Sequence, residues 1–130
     1  MQLVSVNILN FNQEHILKDC ITSVLEQSYK NLEIIVTDNS SSAELQDVIK
    51  NERYSIKFIR NTVNKGYSKA NNDFIYTTKG EHLLFLNADV VLDINFIEKM
   101  LKAIEKDKKI GMVQGKLYRM QPEKKKEESL

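Results

Sequence analysis

The feature that most constrains this chain is the regular alternation of short apolar runs with longer amphipathic segments. Five runs rich in β-branched and apolar residues have the length of buried strands: 3–9, 32–37, 56–59, 82–86 and 110–117. Four segments between them repeat apolar residues at three- and four-residue spacing, as helices do: 16–25, 45–49, 66–78 and 96–104. This alternation predicts an α/β fold, a mainly parallel sheet with helices on both faces in three α/β/α layers.

The third predicted helix, 66–78, has a specific expected orientation. Its spacing places Tyr67, Ala70, Phe74 and Ile75 on the inner face, against the sheet. We therefore expect these four side chains to form part of the core.

Length and composition indicate a single domain. At 130 residues, with 42% hydrophobic and 28% charged residues, the chain suits one globular unit, which we assign to 1–119. Residues 120–130 are charged and poor in apolar side chains, so they predict a disordered tail.

Charge and cysteine content argue against several classes of protein. Lys plus Arg number 19 and Asp plus Glu 18, and this net charge of +1 gives no support to nucleic-acid binding. The single cysteine excludes an internal disulfide and a multi-cysteine zinc site. No apolar run approaches the roughly 20 residues of a membrane span, and the first residues do not resemble a signal peptide. We therefore expect a soluble, cytoplasmic protein.

Polar segments follow four of the predicted strands: 10–12, 38–40, 61–66 and 87–89. Ligands of parallel sheets gather at the carboxyl ends of the strands, so these segments are the candidate site. There Asp38 can accept hydrogen bonds from a ligand, or it can cap the next helix, which is the commoner role. Asp89 offers an oxygen suited to Mg²⁺ or Mn²⁺, although Asp in such a turn is more often structural.

The segment 64–72 leads into the third predicted helix. Gly66 allows close backbone approach, and a helix N-terminus favours anionic groups. Lys65 or Lys69 could neutralise a phosphate, while an ordinary loop with solvated lysines is the alternative for either lysine taken singly.

Two other classes with this βα alternation fit the first turn poorly. A receiver-type signalling domain would need an acidic pair after the first strand, where Asn10 and Asn12 stand. A dinucleotide-binding domain would need a Gly-x-Gly-x-x-Gly turn, and the sequence 10–15 contains no glycine.

Five segments together form a more specific pattern: Val4-Ser5-Val6 with Asn10-Phe11-Asn12, 23–29 (SVLEQSY), 32–40 (LEIIVTDNS), Asn64-Lys65-Gly66 with Asn71-Asn72, and 84–89 (LFLNAD). In this order and at this spacing they resemble the donor-binding half of glycosyltransferase family 2, over about residues 3–119. The resemblance implies a GT-A fold. It also implies transfer of a sugar, with inversion, from a nucleotide diphosphate sugar to an acceptor hydroxyl, in polysaccharide biosynthesis.

The resemblance also implies roles for individual residues. Asp89 is expected to contact a divalent cation, Mg²⁺ or Mn²⁺, where the family has an Asp-X-Asp motif. The variant of this motif that begins with Asn87 resembles the rhamnosyltransferase-like branch of the family. The resemblance therefore implies a deoxythymidine diphosphate sugar or a uridine diphosphate sugar as the donor. The residues expected to bind the nucleotide sugar come from all four strand ends: Leu9, Asn10, Phe11, Asp38, Asn64, Gly66, Lys69, Asn87 and Ala88.

The family's catalytic base lies beyond the fifth strand, in an acceptor-binding half, and no residue of this shorter chain is assigned to it. We therefore expect a partner chain or self-association to supply that half. The expected acceptor is a glycan or a lipid-linked glycan, reached at the inner face of the membrane through partners. A non-catalytic nucleotide-sugar-binding fragment, or a subunit of a split enzyme, is the alternative interpretation.

Overall fold

The structure is a computed structural model that describes residues 1–41, 45 and 55–120. Within these residues the strands are β1 (Val4–Asn10), β2 (Leu32–Asp38), β3 (Ile56–Arg60) and β4 (His82–Asn87). The helices are α1 (Glu14–Leu25), α2 (Tyr67–Ile75) and α3 (Phe96–Ile104). None of the described helices combines the length and the apolar character that crossing a membrane requires.

The four strands form one parallel sheet in the order β3-β2-β1-β4. β1 pairs on both sides and is buried along its whole length. Such a strand can carry a continuous apolar run because both of its faces are covered by other elements. In the register, Asn10 lies opposite Asp38, and Leu9 lies opposite Asn87.

One face of the sheet holds the main hydrophobic core. Val4, Val6 and Ile8 of β1 alternate onto this face, where α1 and α3 cover them. The helices contribute their apolar stripes to the same cluster: Leu17, Cys20, Ile21, Val24, Ile97 and Leu101. Each fully buried leucine or valine here contributes about 1.5–3 kcal/mol relative to an exposed position.

The opposite face of the sheet is more polar and carries α2. Asn7 of β1 is fully buried there; it donates to the Asn71 Oδ1 of α2 over 2.9 Å and accepts from the Thr37 hydroxyl over 2.7 Å. Phe74 of the same helix is also buried, and its ring centroid lies 5.6 Å from that of Phe85 of β4 in an edge-to-face arrangement. Helix α2 is therefore held by specific hydrogen bonds as well as by apolar contact.

The architecture expected from the sequence is confirmed. The first four predicted strands and the first, third and fourth predicted helices are present, with bounds shifted by up to three residues. Helices lie on both faces of a parallel sheet. Of the predicted helix at 45–49 and the predicted tail at 120–130, the structure describes only Leu45, which is buried in the main core, and the exposed Met120.

Two expectations about local structure are wrong. The segment 110–117 pairs with none of the four described strands, and its apolar residues Met112 and Leu117 are largely exposed. Apolar content alone does not make a strand, because a strand also needs a neighbour for its backbone hydrogen bonds. In α2, Tyr67 and Ile75 are exposed instead of buried, because the helix contacts the sheet through Ala70, Asn71 and Phe74.

Gly80 provides a test of how tightly the chain packs against β1. Its N–H donates to the Ser5 hydroxyl over 2.9 Å, and an added Cβ would lie 2.6 Å from the Ser5 backbone nitrogen. We expect Gly80→Ala to lower the free energy of unfolding by about 1–3 kcal/mol, because a buried strand backbone cannot move aside. Urea denaturation measures this loss. Gly111→Ala is the matched control, since nothing lies within 4 Å of its Cβ, and an equal loss in both variants would contradict the packing.

Candidate functional site

The carboxyl ends of the four strands meet at one edge of the sheet. Backbone hydrogen bonds continue the ladder past the strands: Asn39 N–H donates to the Asn10 carbonyl over 2.8 Å, and Ala88 N–H donates to the Leu9 carbonyl over 3.2 Å. Asn61 N–H donates to the Asp38 carbonyl over 2.9 Å. These bonds fix the loops that follow the strands next to one another.

An open cleft of about 270 Å³ lies at this edge. It combines two aromatic side chains, one aliphatic side chain, four side-chain amides and one exposed glycine backbone. Its described lining carries no charged side chain. The lining residues are Leu9, Phe11, Gln13, Asn39, Asn64, Gly66, Tyr67 and Asn87.

Five of the expected binding residues line this cleft: Leu9, Phe11, Asn64, Gly66 and Asn87. Three others, Asn10, Asp38 and Ala88, are buried at the strand ends and do not line it. Lys69 and Asp89 are exposed and also lie outside the lining. Whether each of these residues contacts a nucleotide sugar stays a prediction.

Sequence reasoning missed three lining residues. Gln13 lies in the turn after β1 and carries no distinctive signal. Helical spacing predicts that Tyr67 lies in the core, yet it is 58% exposed and lines the cleft. Asn39 stands in the expected strand-end segment 38–40, so the sequence could place it near the site. The sequence gives no sign, however, of the contacts that its side-chain amide makes.

Asp38 is held in a buried cluster beside the cleft. Its carboxylate accepts hydrogen bonds from the Asn10 side-chain amide over 3.1 Å and from the Ser41 hydroxyl and backbone N–H. Arg60 of β3 lies 3.8 Å from the same carboxylate. The bond to the N–H three residues later is a local turn contact of an aspartate. The helix that Asp38 was expected to cap lies outside the described residues, so both expected roles stay predictions.

Asn10 leaves one buried acceptor in this cluster. Its amide nitrogen donates to Asp38 and Ser41, whereas its Oδ1 is buried and has no partner among the described residues. A buried unpaired acceptor costs about 1–3 kcal/mol, so such a group in a native structure calls for a specific explanation, such as a functional role or a bound water.

The two lysines near the start of α2 are both directed to an aspartate. Lys65 Nζ lies 2.8 Å from Asp73, and Lys69 Nζ lies 3.4 Å from it. The hydrogen bond from Lys65 holds the pKa of the Asp73 carboxyl below its ordinary value. Both amines would have to leave Asp73 in order to neutralise a phosphate in the cleft.

Asn87, the last residue of β4, and Asp89 are both exposed, with the buried Ala88 between them. Asp89 forms no ion pair with a described residue, so its carboxylate is available to solvent. The described residues contain no cluster of three metal-ligating side chains. This donor set fits a cation that takes one carboxylate from the protein and further oxygens from a ligand, as Mg²⁺ commonly does.

Cys20 lies directly beneath this turn, with its Sγ 3.6 Å from the Asn87 carbonyl oxygen. Burial raises the pKa of its thiol to about 12. The thiol is therefore protonated and unreactive at neutral pH, and it serves as a core side chain.

The geometry defines a parallel α/β protein with an open cleft at the carboxyl edge of its sheet. The family model "Glycosyl transferase family 2" matches residues 5–129. The chain therefore belongs to glycosyl transferase family 2, and the family resemblance read from the sequence is confirmed. The rhamnosyltransferase-like branch stays a prediction.

Two curated relatives illustrate the similarity. The chain is 28% identical over 120 residues to the glycosyltransferase GlyG of Streptococcus pneumoniae, covering 90% of this chain and 40% of GlyG. It is 37% identical over 90 residues to the Escherichia coli UDP-Glc:alpha-D-GlcNAc-diphosphoundecaprenol beta-1,3-glucosyltransferase WfaP, covering 68% of this chain and 36% of WfaP. The chain thus spans well under half the length of these relatives.

Solved structures share the fold. TarS 1–349 of S. aureus in complex with UDP superposes with a TM-score of 0.72 at 21% identity, covering 82% of this chain and 32% of that one. The mannosyltransferase PcManGT of Pyrobaculum calidifontis, in complex with GDP-Man and Mn²⁺, gives 0.63 at 20% identity, covering 68% and 28%. The α/β fold of this chain therefore matches that of GT-A glycosyltransferases.

Gly66 is the residue of the cleft most sensitive to a side chain. Its φ of 77° and ψ of 171° lie in a region that only glycine readily adopts, although nothing lies within 4 Å of a Cβ built there. We expect Gly66→Ala to lower the free energy of unfolding by about 1–3 kcal/mol through backbone strain alone. Urea denaturation against Gly111→Ala measures it, and equal midpoints in the two variants would contradict this backbone conformation.

Cys20 gives a second test, because it is the chain's only cysteine. We expect its reaction with a disulfide reagent such as DTNB at pH 8 to be at least about 100-fold slower in the folded protein than in urea, since burial and the raised pKa both suppress the thiolate. Absorbance at the thiol-release band measures the rate. A native rate close to the unfolded rate would show that the thiol is not buried beneath Asn87.

Proposed function

We propose that this chain forms the nucleotide-sugar-binding part of a glycosyltransferase, which transfers a sugar to an acceptor hydroxyl with inversion. The observation that carries the proposal is the cleft at the carboxyl edge of the sheet, in a chain that the family model matches over residues 5–129. Parallel α/β proteins bind ligands at this edge, and here the strand ends converge on a single cleft.

The cleft lining supports a nucleoside as the bound group. The rings of Phe11 and Tyr67 offer faces on which a planar base can stack. Exposed side-chain amides of Asn64 and Asn87 offer hydrogen-bonding groups that suit a base edge or ribose hydroxyls. An uncharged lining suits these neutral groups, and the charged diphosphate would then lie outside the lining residues.

The donor we propose is a uridine or deoxythymidine diphosphate sugar. TarS has been solved with UDP and with UDP-GlcNAc, which supports the uridine nucleotide. The deoxythymidine nucleotide rests on the Asn87-Ala88-Asp89 sequence and its likeness to rhamnosyltransferase-like proteins.

We propose that Asp89 anchors a divalent cation, Mg²⁺ or Mn²⁺, beside the diphosphate. Its exposed carboxylate lies two residues after Asn87, which lines the cleft. The PcManGT complex with GDP-Man and Mn²⁺ supports the use of a cation in this fold. When bound, such a cation would stabilise the negative charge that develops on the leaving diphosphate. Asn87 would then orient the ribose or the cation's water ligands by hydrogen bonds.

The proposal divides the reaction between this chain and a further acceptor-binding part. An inverting displacement needs a base to remove the proton of the acceptor hydroxyl, and we assign no described residue to this role. The relatives GlyG and WfaP are more than twice as long as the segments they share with this chain. We propose that a partner or a second copy supplies the acceptor side. The acceptor would be a glycan or lipid-linked glycan at the cytoplasmic face of a membrane.

Calorimetric titration with UDP and with dTDP, each with and without Mn²⁺, tests the donor site. We expect Mn²⁺ to strengthen binding, and Asp89→Asn to lower the affinity measured with Mn²⁺ by about 10- to 100-fold, the usual cost of one contact to a charged group. Metal-free affinity should change little. Asp19→Asn is the matched control, because Asp19 is also exposed and forms no ion pair with a described residue.

The outcomes separate the two candidate roles. Nucleotide binding with sugar transfer or donor hydrolysis by the chain alone would identify a complete catalyst, whereas binding without turnover would favour a binding fragment or subunit. A folded protein that binds neither nucleotide would contradict both. Equal losses in Asp89→Asn and Asp19→Asn would remove Asp89 from the cation site.

A further inference from the structure

The side-chain amide of Asn39 uses all four of its hydrogen-bonding positions. Its Nδ2 donates to the Asn64 Oδ1 over 2.8 Å and to the Gly66 carbonyl over 3.3 Å. Its Oδ1 accepts from the Lys65 N–H over 2.8 Å and from the Asn61 amide over 3.2 Å. The side chain is 3% exposed, yet it lies in the wall of the cleft. One buried amide therefore connects the end of β2 with the whole loop that precedes α2.

The backbone of this loop fixes which way the Asn39 amide faces. A backbone N–H can only donate, so the Asn39 atom that meets the Lys65 N–H must be the oxygen. A backbone carbonyl can only accept, so the atom that meets the Gly66 carbonyl must be the nitrogen. Rotation of the amide by 180° would place two like groups against each other at both positions.

The same reasoning fixes the amide of Asn64. Its Oδ1 accepts from the Gly66 N–H over 2.8 Å and from Asn39 Nδ2, so both inner contacts require the oxygen. Its Nδ2 has no partner among the described residues, and the side chain is exposed in the cleft lining. Asn64 therefore offers the cleft two hydrogen-bond donors and no free acceptor on that side.

We infer that Asn39 is a positioning residue: its Nδ2 and the Gly66 N–H together hold the Asn64 Oδ1 inward, so that this wall of the cleft presents donors to an acceptor-rich ligand. The ligand group would be a carbonyl, a ribose oxygen or a phosphate oxygen. The expected effect on ligand binding rests on the proposed nucleotide site, whereas the orientation of the Asn64 amide is a property of the free protein.

Two isosteric substitutions separate the roles of the two residues. Asn64→Asp keeps the inner oxygen for Asn39 and Gly66 but presents a carboxylate to the cleft. Asn39→Asp loses both donors and sets a carboxylate oxygen against the Asn64 Oδ1 and the Gly66 carbonyl, so the Asn64 amide can no longer satisfy both of its inner contacts and should leave its native orientation. We expect each change to weaken UDP or dTDP binding by about 10- to 100-fold, because a ligand acceptor then loses its donor and is left unpaired. Only Asn39→Asp should also lower the denaturation midpoint.

A double-mutant cycle tests whether Asn39 acts through Asn64. In an Asn64→Ala background, Asn39→Asp should change nucleotide affinity by less than about twofold, because the group that it orients is gone. An unchanged affinity in Asn39→Asp alone would overturn the inference. So would an equally large loss in the Asn64→Ala background, because Asn39 would then act directly or through the fold.

Side-chain amide hydrogen exchange, followed by NMR in the nucleotide-free protein, tests the polarity without any variant. The Asn39 Nδ2 protons should exchange at least about tenfold more slowly than those of Asn64, since only the former are buried and bonded on both sides. Equal exchange rates would overturn the inference even if nucleotides bind. If no nucleotide binds but the rates differ as expected, the proposed function fails and the polarity stands.

Discussion

The parallel register of β1 with both of its neighbours is the constraint on which the rest of the structure depends. Because Asn10 lies opposite Asp38 and Leu9 opposite Asn87, every loop of the cleft begins at the same edge. Antiparallel pairing of β1 with either neighbour would send one of these loops to the other end of the sheet. The cleft is thus a consequence of backbone pairing first and of side-chain identity second.

Amide side chains, not charges, shape the described wall of this cleft. A buried amide is stable only if its donors and acceptors are paired, and backbone groups of known polarity supply the partners of Asn39. The requirement that stabilises the loop therefore also decides what a ligand meets. Charged groups stand apart from this wall: Lys65 and Lys69 pair with Asp73, and Asp89 is exposed after β4.

Most of the fold could be predicted because its signals are local. A short apolar run or a repeated three- and four-residue spacing is visible in the sequence, and four strands and three helices follow from them in the described residues. The errors have a common cause. Whether 110–117 pairs as a strand, and which stripe of α2 meets the sheet, depends on partners distant in the chain, such as Asn7 for Asn71. The residue pattern within 110–117 or within α2 does not indicate these distant partners.

By itself the sequence determined the order of strands and helices, the family, and the strand ends as the place of a site, because these follow from residue type and spacing along the chain. Only the tertiary structure decided which side chains enter the cleft. It buried Asp38 beside Asn10, turned Tyr67 outward and brought Asn39 within 2.8 Å of Asn64. Such contacts join residues up to tens of positions apart, and they exist only once parallel pairing has placed the loops side by side.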